Sequence, residues 1–284
     1  MNILIIGGGG FLGVPLSNKL KSLGHFVMVY DNFKHNTQSI LNCCYVNKSV
    51  KDLQNLDELN FNYFDLIFYL AQPRLEELID ENQILTPINE FKNFLDGVNG
   101  PKVYFISSCS VYGKTNDIVN EDSETTVTSH YSKMKIECEK HLLSKKNNDF
   151  KILRLSTLYG NSNPLRKDVF INNMLEDVKD NKEIEIFDPT AKRPHLHIND
   201  CVNVLTKLIE IDIIDKIINV GFNQLNVSKI ELIDLMKMSI DFNYVTYKTE
   251  DSRNYHVNFD LLGKYINYSP ITYLEGIKDY LKSE

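Results

Sequence analysis

Tyr131 and Lys135 stand four residues apart in the stretch Tyr131-Ser-Lys-Met-Lys135. On a helix that spacing puts a phenol and an ammonium on one face, about 6 Å apart along the axis. A phenol near pKa 10 is a poor base at neutral pH, and a neighbouring ammonium favours its phenolate. Such a pair can take a proton from an alcohol while hydride leaves the carbon, or return it in reverse. A third participant comes from Phe105-Ile-Ser107-Ser108-Cys109-Ser110-Val111-Tyr112-Gly113, where an apolar run ends in hydroxyls. One of them can hold the reacting oxygen. Ser107, Ser108 and Ser110 compete for that role, because a serine in a turn often only satisfies backbone. A Tyr-x-x-x-Lys spacing by itself is common on solvated helix faces, so the pair gains meaning only beside a hydride acceptor.

A site for one opens the chain. Ile3-Leu-Ile-Ile-Gly7-Gly8-Gly9-Gly10-Phe11-Leu12-Gly13 reads as strand, turn and helix, with Gly7, Gly10 and Gly13 in GxxGxxG spacing. Gly7 permits the tight turn, Gly10 lets backbone N–H groups approach a pyrophosphate, and Gly13 lets the helix pack closely on the strand. The helix N-terminus adds partial positive charge and free donors. The next apolar run ends in Asp31-Asn32, with Asp31 18 residues after Gly13. A carboxylate there accepts both adenosine ribose hydroxyls and repels a 2′-phosphate, which selects NAD(H) over NADP(H). Lys34 is a counter-signal, since its charge offsets part of that repulsion.

The elements that must position these groups follow from periodicity. Residues 3–6, 26–30, 65–70, 103–106 and 152–155 read as strands buried on both faces, with helical patterns at 11–22, 51–58, 75–96 and 129–146 between them. That alternation implies βαβ units and a doubly wound parallel sheet of the Rossmann type over residues 1–160. Beyond residue 160, helices near 166–180, 199–210, 227–239 and 271–282 alternate with short strands at 184–187, 217–220 and 244–247. This predicts a smaller C-terminal α/β region, 161–284, over the strands' carboxyl ends, some of whose segments return to the first sheet.

Composition sets the bounds. A 284-residue chain with 43% hydrophobic positions can bury a real core, which excludes wholesale disorder. A net charge of −7 argues against a non-specific nucleic-acid binder, yet leaves room for an anionic small ligand held by a few arginines and helix ends. No apolar run reaches the length of a membrane span, and residues 3–6 are too short a run for a signal peptide. Five cysteines, an odd number without CxxC spacing, read as reduced thiols of a cytoplasmic protein.

Taken together, the glycine turn, Asp31, Tyr69-Leu70-Ala71, Ser-Ser-x-x-Val-Tyr-Gly and YxxxK resemble the extended short-chain dehydrogenase/reductases that act on nucleotide sugars. The resemblance runs nearly end to end. Asp52 with Leu56 looks like the adenine-side motif, Leu153-Arg154 through Leu158-Tyr159-Gly160 resembles LRxxNVYG, and Arg193-Pro-His195-Leu-His197-Ile-Asn-Asp200 resembles RDFVHVDD. Asn219-Val220-Gly221 and Asp251-Ser-Arg253 resemble the NVG and DxR motifs. The resemblance implies that Ser108 is the catalytic hydroxyl and a substrate contact, beside Tyr131 and Lys135. It implies that Gly7, Gly10, Phe11, Leu12, Gly13, Asp31, Asn32, Leu70 and Ala71 hold NAD together with Tyr131 and Lys135. It further implies Arg193 and Arg253 as ligands of the nucleotide diphosphate, and a homodimer through the Tyr131 helix and the helix after residue 75. The apolar residues Leu75, Leu78 and Ile79 agree with the latter. The family uses no metal, so His195 and His197 read as structural or substrate-lining.

The chain departs from the family pattern at several places. Ile6 replaces a Thr, Ser49 replaces an Asp, Gln72 stands in the HLAA motif, and Thr157 replaces the Asn of LRxxNVYG. Cys109 and Ser110 occupy the positions where the dehydratase branch carries Asp and Glu, so 4,6-dehydration lacks its acid/base pair. The expected reaction is oxidoreduction at C4 of a nucleotide-linked sugar, foremost 4-epimerisation. The alternatives share its first step: a 4-dehydrogenase, a decarboxylase or a ketoreductase. A non-catalytic NAD-sensing protein on the same fold predicts loss of Ser108, Tyr131 and Lys135, and all three are present.

Overall fold

The structure, a computed structural model, describes residues 1–54, 59–145, 149–249 and 254–282. Its strands are β1 (Asn2–Ile6), β2 (Phe26–Asp31), β3 (Cys44–Asn47), β4 (Leu66–Tyr69), β5 (Lys102–Ser108), β6 (Ile118–Val119), β7 (Phe150–Leu155) and β8 (Thr157–Tyr159). They continue with β9 (Ile184–Phe187), β10 (Lys192–His197), β11 (Ile217–Val220), β12 (Asn226–Ser228), β13 (Tyr244–Tyr247) and β14 (His256–Val257). The helices are α1 (Gly13–Ser22), α2 (Glu81–Gly97), α3 (His130–Ser144) and α4 (Phe170–Lys179). After them come α5 (Ile198–Leu208), α6 (Lys229–Lys237), α7 (Asp260–Tyr265) and α8 (Tyr273–Lys282).

Seven strands form one sheet in the order β11-β7-β5-β4-β1-β2-β3, every pair parallel. The chain winds outward from β1 in one direction through β2 and β3, then restarts at β4 and winds in the other. This is the doubly wound sheet, and its switch point lies between β1 and β4, where the carboxyl ends diverge to leave a crevice. Ile3 to Ile6 are each 0% exposed, which a strand covered by helices on both faces requires. Burying one such side chain fully is worth about 1.5–3 kcal/mol, so the central strand resists displacement of the turn it carries.

The C-terminal part contributes β11 to the edge of this sheet and, with β8 just before it, forms a separate three-stranded sheet, β12-β10-β8. One apolar cluster runs from Ile3 of β1 through Leu155 of β7 to Tyr280 of α8, so the second layer shares core with the first.

Two helical expectations are corrected by local chemistry. The periodic stretch at 75–96 does not form one helix. Residues Leu75–Glu77 make a single 3-10 turn, and α2 begins at Glu81 because Asp80 and Gln83 form a reciprocal capping box. The stretch at 51–58 is a 3-10 turn over Val50–Gln54; residues 55–58, including Leu56, lie outside the described residues.

Candidate active site

Each glycine of the first turn has a structural reason that can be measured. Gly7 has φ +84, in the left-handed region, and a Cβ built there would come within 2.5 Å of the Ala71 backbone nitrogen. The turn after β1 therefore lies directly on Leu70-Ala71 at the end of β4, and the Leu70 N–H donates to the Ile6 carbonyl at 2.8 Å. A Cβ on Gly13 would come within 2.5 Å of the Gly8 Cα, so α1 packs on the turn itself. Gly10 differs: its nearest neighbour would be 3.5 Å away, which leaves room for a ligand against the backbone. No side chain caps the start of α1, and no acidic residue occupies its first turn. The Val14 N–H is taken by the Gly10 carbonyl at 3.1 Å and Pro15 has none, so the N–H groups of Phe11, Leu12 and Gly13 are the ones that suit a pyrophosphate.

Asp31 ends β2 beside this turn. Its carboxylate accepts the Gly9 N–H at 2.9 Å and the Phe33 N–H at 2.7 Å, which holds it at the rim where a ribose would lie. Asn32 is exposed and accepts the Lys34 N–H at 3.1 Å. The Lys34 ammonium is paired with Glu77, so its charge is turned to that carboxylate. These residues fit NAD: a backbone cradle, an uncapped helix end and a carboxylate at the second strand.

The reacting groups stand at the end of β5 and on the first turns of α3. Ser129 caps α3 by a reciprocal box with Ser132, which fixes the helix start at His130, one residue before Tyr131. Ser108 is the last residue of β5, and its hydroxyl accepts the Ser110 N–H at 3.2 Å. The Tyr131 hydroxyl donates to Gln72 Oε1 at 3.4 Å. Burial holds this phenol above its ordinary value, opposed by the Arg166 charge and by hydrogen bonds with Gln72 and Ser108. Lys135 is 2% exposed. Its ammonium donates to the Ile106 carbonyl at 2.6 Å and lies 4.8 Å from the Phe105 ring centre and 5.8 Å from that of Tyr131. Burial pushes Lys135 down to about 8, against the raising effect of Cys138 and Glu139. A cavity of about 570 Å³ opens beside Tyr131, lined among others by Leu78, Glu81, Thr128 and His130.

Ser108, Tyr131 and Lys135 are thus brought together, next to the end of β4. Arg193 is not among them: it stands on β10, in the second sheet, opposite Val227 of β12, and is buried. Arg253 lies outside the described residues. His195 is wedged near Phe170 and Tyr273, and burial with the neighbouring Arg193 charge pushes it down to about 3. His197 Nδ1 accepts the Asn199 N–H at 3.3 Å, at the start of α5. Tyr159 is core, 1% exposed and stacked near Tyr273. Among the described residues no group of three His, Cys, Asp or Glu could hold a metal. Sequence reasoning did not place Gln72, Glu139 or Arg166 at the site. Glu139 could have been found from its helical spacing to Tyr131 and Lys135; the other two carry no spacing signal.

A Rossmann sheet with a glycine turn, an acidic second strand and a Ser/Tyr/Lys cluster defines an NAD-dependent short-chain dehydrogenase/reductase of the extended type. Residues 3–221 match the family described as NAD dependent epimerase/dehydratase, and the chain belongs to it. The chain is similar to a provisionally named UDP-glucose 4-epimerase of Methanocaldococcus jannaschii, 25% identical over 97% of this chain and 96% of that one. It is 32% identical to a UDP-N-acetyl-alpha-D-glucosaminuronate decarboxylase of Bacillus cytotoxicus, over 43% of this chain and 40% of that one. Among solved structures, UDP-glucuronic acid 4-epimerase of Bacillus cereus, in complex with UDP-glucuronic acid and NAD, superposes with a TM-score of 0.84 at 23% identity. That superposition covers 99% of this chain and 98% of the other.

Proposed function

We propose that the protein is a nucleotide-sugar 4-epimerase in which Tyr131 is the acid/base. The observation that carries this reading is the juxtaposition of the Tyr131 phenol with the Ser108 hydroxyl and the buried Lys135 ammonium at the sheet's carboxyl end. NAD bound along the glycine turn supplies the hydride acceptor and donor. Ser108 holds the C4 oxygen of the sugar by a hydrogen bond. Tyr131, as phenolate, takes the C4 hydroxyl proton and later returns it, while the Lys135 charge stabilises the phenolate. Arg193 and Arg253 are proposed to hold the diphosphate, since guanidinium forks match its oxygens. Cys109 and Ser110 leave no acid/base pair for dehydration.

Two finer expectations belong to this reading. A homodimer through α2 and α3 is supported by the exposed apolar Leu85 on α2 and Ile79 just before it, 51% and 72% exposed. A cytoplasmic location is supported by five cysteines, all free. Among the described residues no helix is long and apolar enough to cross a membrane.

The test is to purify the protein without added cofactor, denature it and identify the dinucleotide released, then supply UDP-glucose or UDP-glucuronic acid. Stoichiometric NAD+ with formation of the C4 epimer is expected. A protein that carries nothing, takes up NADPH and reduces a 4-ketosugar would replace the epimerase by a ketoreductase.

A further inference from the structure

Behind the reacting groups lies a polar network that proton transfer does not itself require. Tyr131, Lys135 and Glu139 follow one another at four-residue intervals along one face of α3. Glu139 and Arg154 are each 3% exposed. Arg154 Nε donates to both Glu139 oxygens at 3.2 Å, and its Nη2 donates to Oε2 at 2.7 Å. The Ser107 hydroxyl donates to Oε1 of the same carboxylate. Beyond Arg154, its Nη1 donates to the Tyr112 hydroxyl at 3.0 Å, which donates to Asn219 Oδ1 at 2.7 Å. Three strands and a helix are thereby tied to one carboxylate, and Ser107 immediately precedes Ser108.

A buried ion pair is an expensive way to hold a fold, because an apolar group of equal volume often serves as well. The place of this one is more informative than its stability. We propose that Glu139 is a positioning residue for the reaction: through Ser107 and Arg154 it fixes the end of β5, which carries Ser108, against the face of α3 that carries Tyr131 and Lys135. The proposal rests on the roles given above to Tyr131 and Lys135.

Charge adds a second effect. With one proton shared, the pair exists as phenol and amine or as phenolate and ammonium, and only the second form holds the base. The groups facing Lys135 are Tyr131, Cys138 and Glu139 on α3 and the Phe105 ring and Ile106 carbonyl on β5, with Lys92 of α2 acting on Cys138. The Cys138 thiol is pushed up to about 12 by burial and stays neutral, so Glu139, ion-paired with Arg154 of β7, is the carboxylate among them, while the Arg166 charge acts on Tyr131. A negative charge on the lysine side keeps the proton on Lys135 and frees Tyr131 to act.

The experiment compares Ser107→Ala and Glu139→Gln with the parent protein. The readouts are the ¹³Cε shift of Lys135 against pH in lysine-labelled protein, NAD+ affinity, and kcat and KM with UDP-glucose and UDP-glucuronic acid. Ser107→Ala is expected to lower kcat about tenfold, with KM and NAD+ affinity within about twofold and the Lys135 titration unmoved. Glu139→Gln is expected to lower kcat about a hundredfold and to move the first proton loss of the pair to lower pH by about one unit. An unmoved titration in folded Glu139→Gln, or an unchanged kcat in Ser107→Ala, overturns the proposal. Should Glu139→Gln not fold, the kcat loss without KM loss in Ser107→Ala decides alone. Should the parent turn over neither sugar, the epimerase reading fails, while the Lys135 titration, which needs no substrate, still decides for or against Glu139.

Discussion

The turn after β1 and the end of β5 lie at the same edge of one sheet, and they are built in opposite ways. In the turn, side chains are absent wherever backbone must approach backbone, as at Gly7 and Gly13, while a Cβ on Gly10 would meet only the Gly7 carbonyl, at 3.5 Å. Behind β5, Ser107, Glu139, Arg154, Tyr112 and Asn219 satisfy one another in the interior. The turn leaves backbone donors for a partner that arrives; behind the β5 end the polar side chains of this network are paired with one another, and Ser108 and Tyr131 stand in front of it. The turn thus serves binding alone, while the β5 end carries the chemistry, and substitutions in the two should differ in which they cost more.

The largest effect is expected on chemistry. Tyr131→Phe keeps the ring but removes the transferable proton, so turnover should fall about a thousandfold while NAD+ binding, followed by calorimetry, weakens by no more than the roughly tenfold of one lost hydrogen bond. Loss of both together would mean that the two regions are not separable. On the binding side, Gly7→Ala meets the Ala71 backbone at a left-handed φ and should destabilise the fold by about 3 kcal/mol in urea unfolding. Gly24→Ala is the matched control. It has φ +88 with nothing within 4 Å, so about 1 kcal/mol is expected. Equal losses would show that the crowding at Gly7 is not what demands glycine. A smaller change is expected from Asp31→Asn, about tenfold weaker NAD+ binding and a narrowed preference over NADP+, read by equilibrium titration.

Last comes a pH effect in the second layer. His195 is held far below its ordinary value, to about 3, so the unfolded chain binds the extra proton first. Its contribution to stability is complete above pH 6.5 and is lost as pH falls toward 3, at no more than about 1.4 kcal/mol per pH unit. His195→Phe should flatten that part of the acid-unfolding curve.

How much the sequence disclosed depended on which physics set each element. The glycine turn was legible because its constraint is local: only glycine tolerates φ +84 against the Ala71 backbone. YxxxK was legible because helical spacing alone puts both groups on one face. The start of α2 is not legible from periodicity because Leu75, Leu78 and Ile79 continue the apolar period upstream, while the capping box at Asp80 decides where the helix begins. Strand β10 was read only as a motif, since Lys192–His197 carries two histidines that become buried through contacts with Phe170, Tyr159 and Tyr273. The pairing of Ser107 with Arg154 is a matter of sheet register between distant segments, and neither residue announces it alone.

The central claim, that Tyr131 moves a proton while hydride leaves C4 and returns, is tested most directly in deuterated water. The protein is incubated with UDP-glucose and UDP-glucuronic acid, and the sugar protons are followed by NMR. A growing C4 epimer is expected whose C4 hydrogen remains protium, because the hydride returns from the cofactor and never exchanges with solvent. Deuterium appearing on a ring carbon, carbon dioxide release, or a 4-ketosugar accumulating with NADH and no epimer would contradict it.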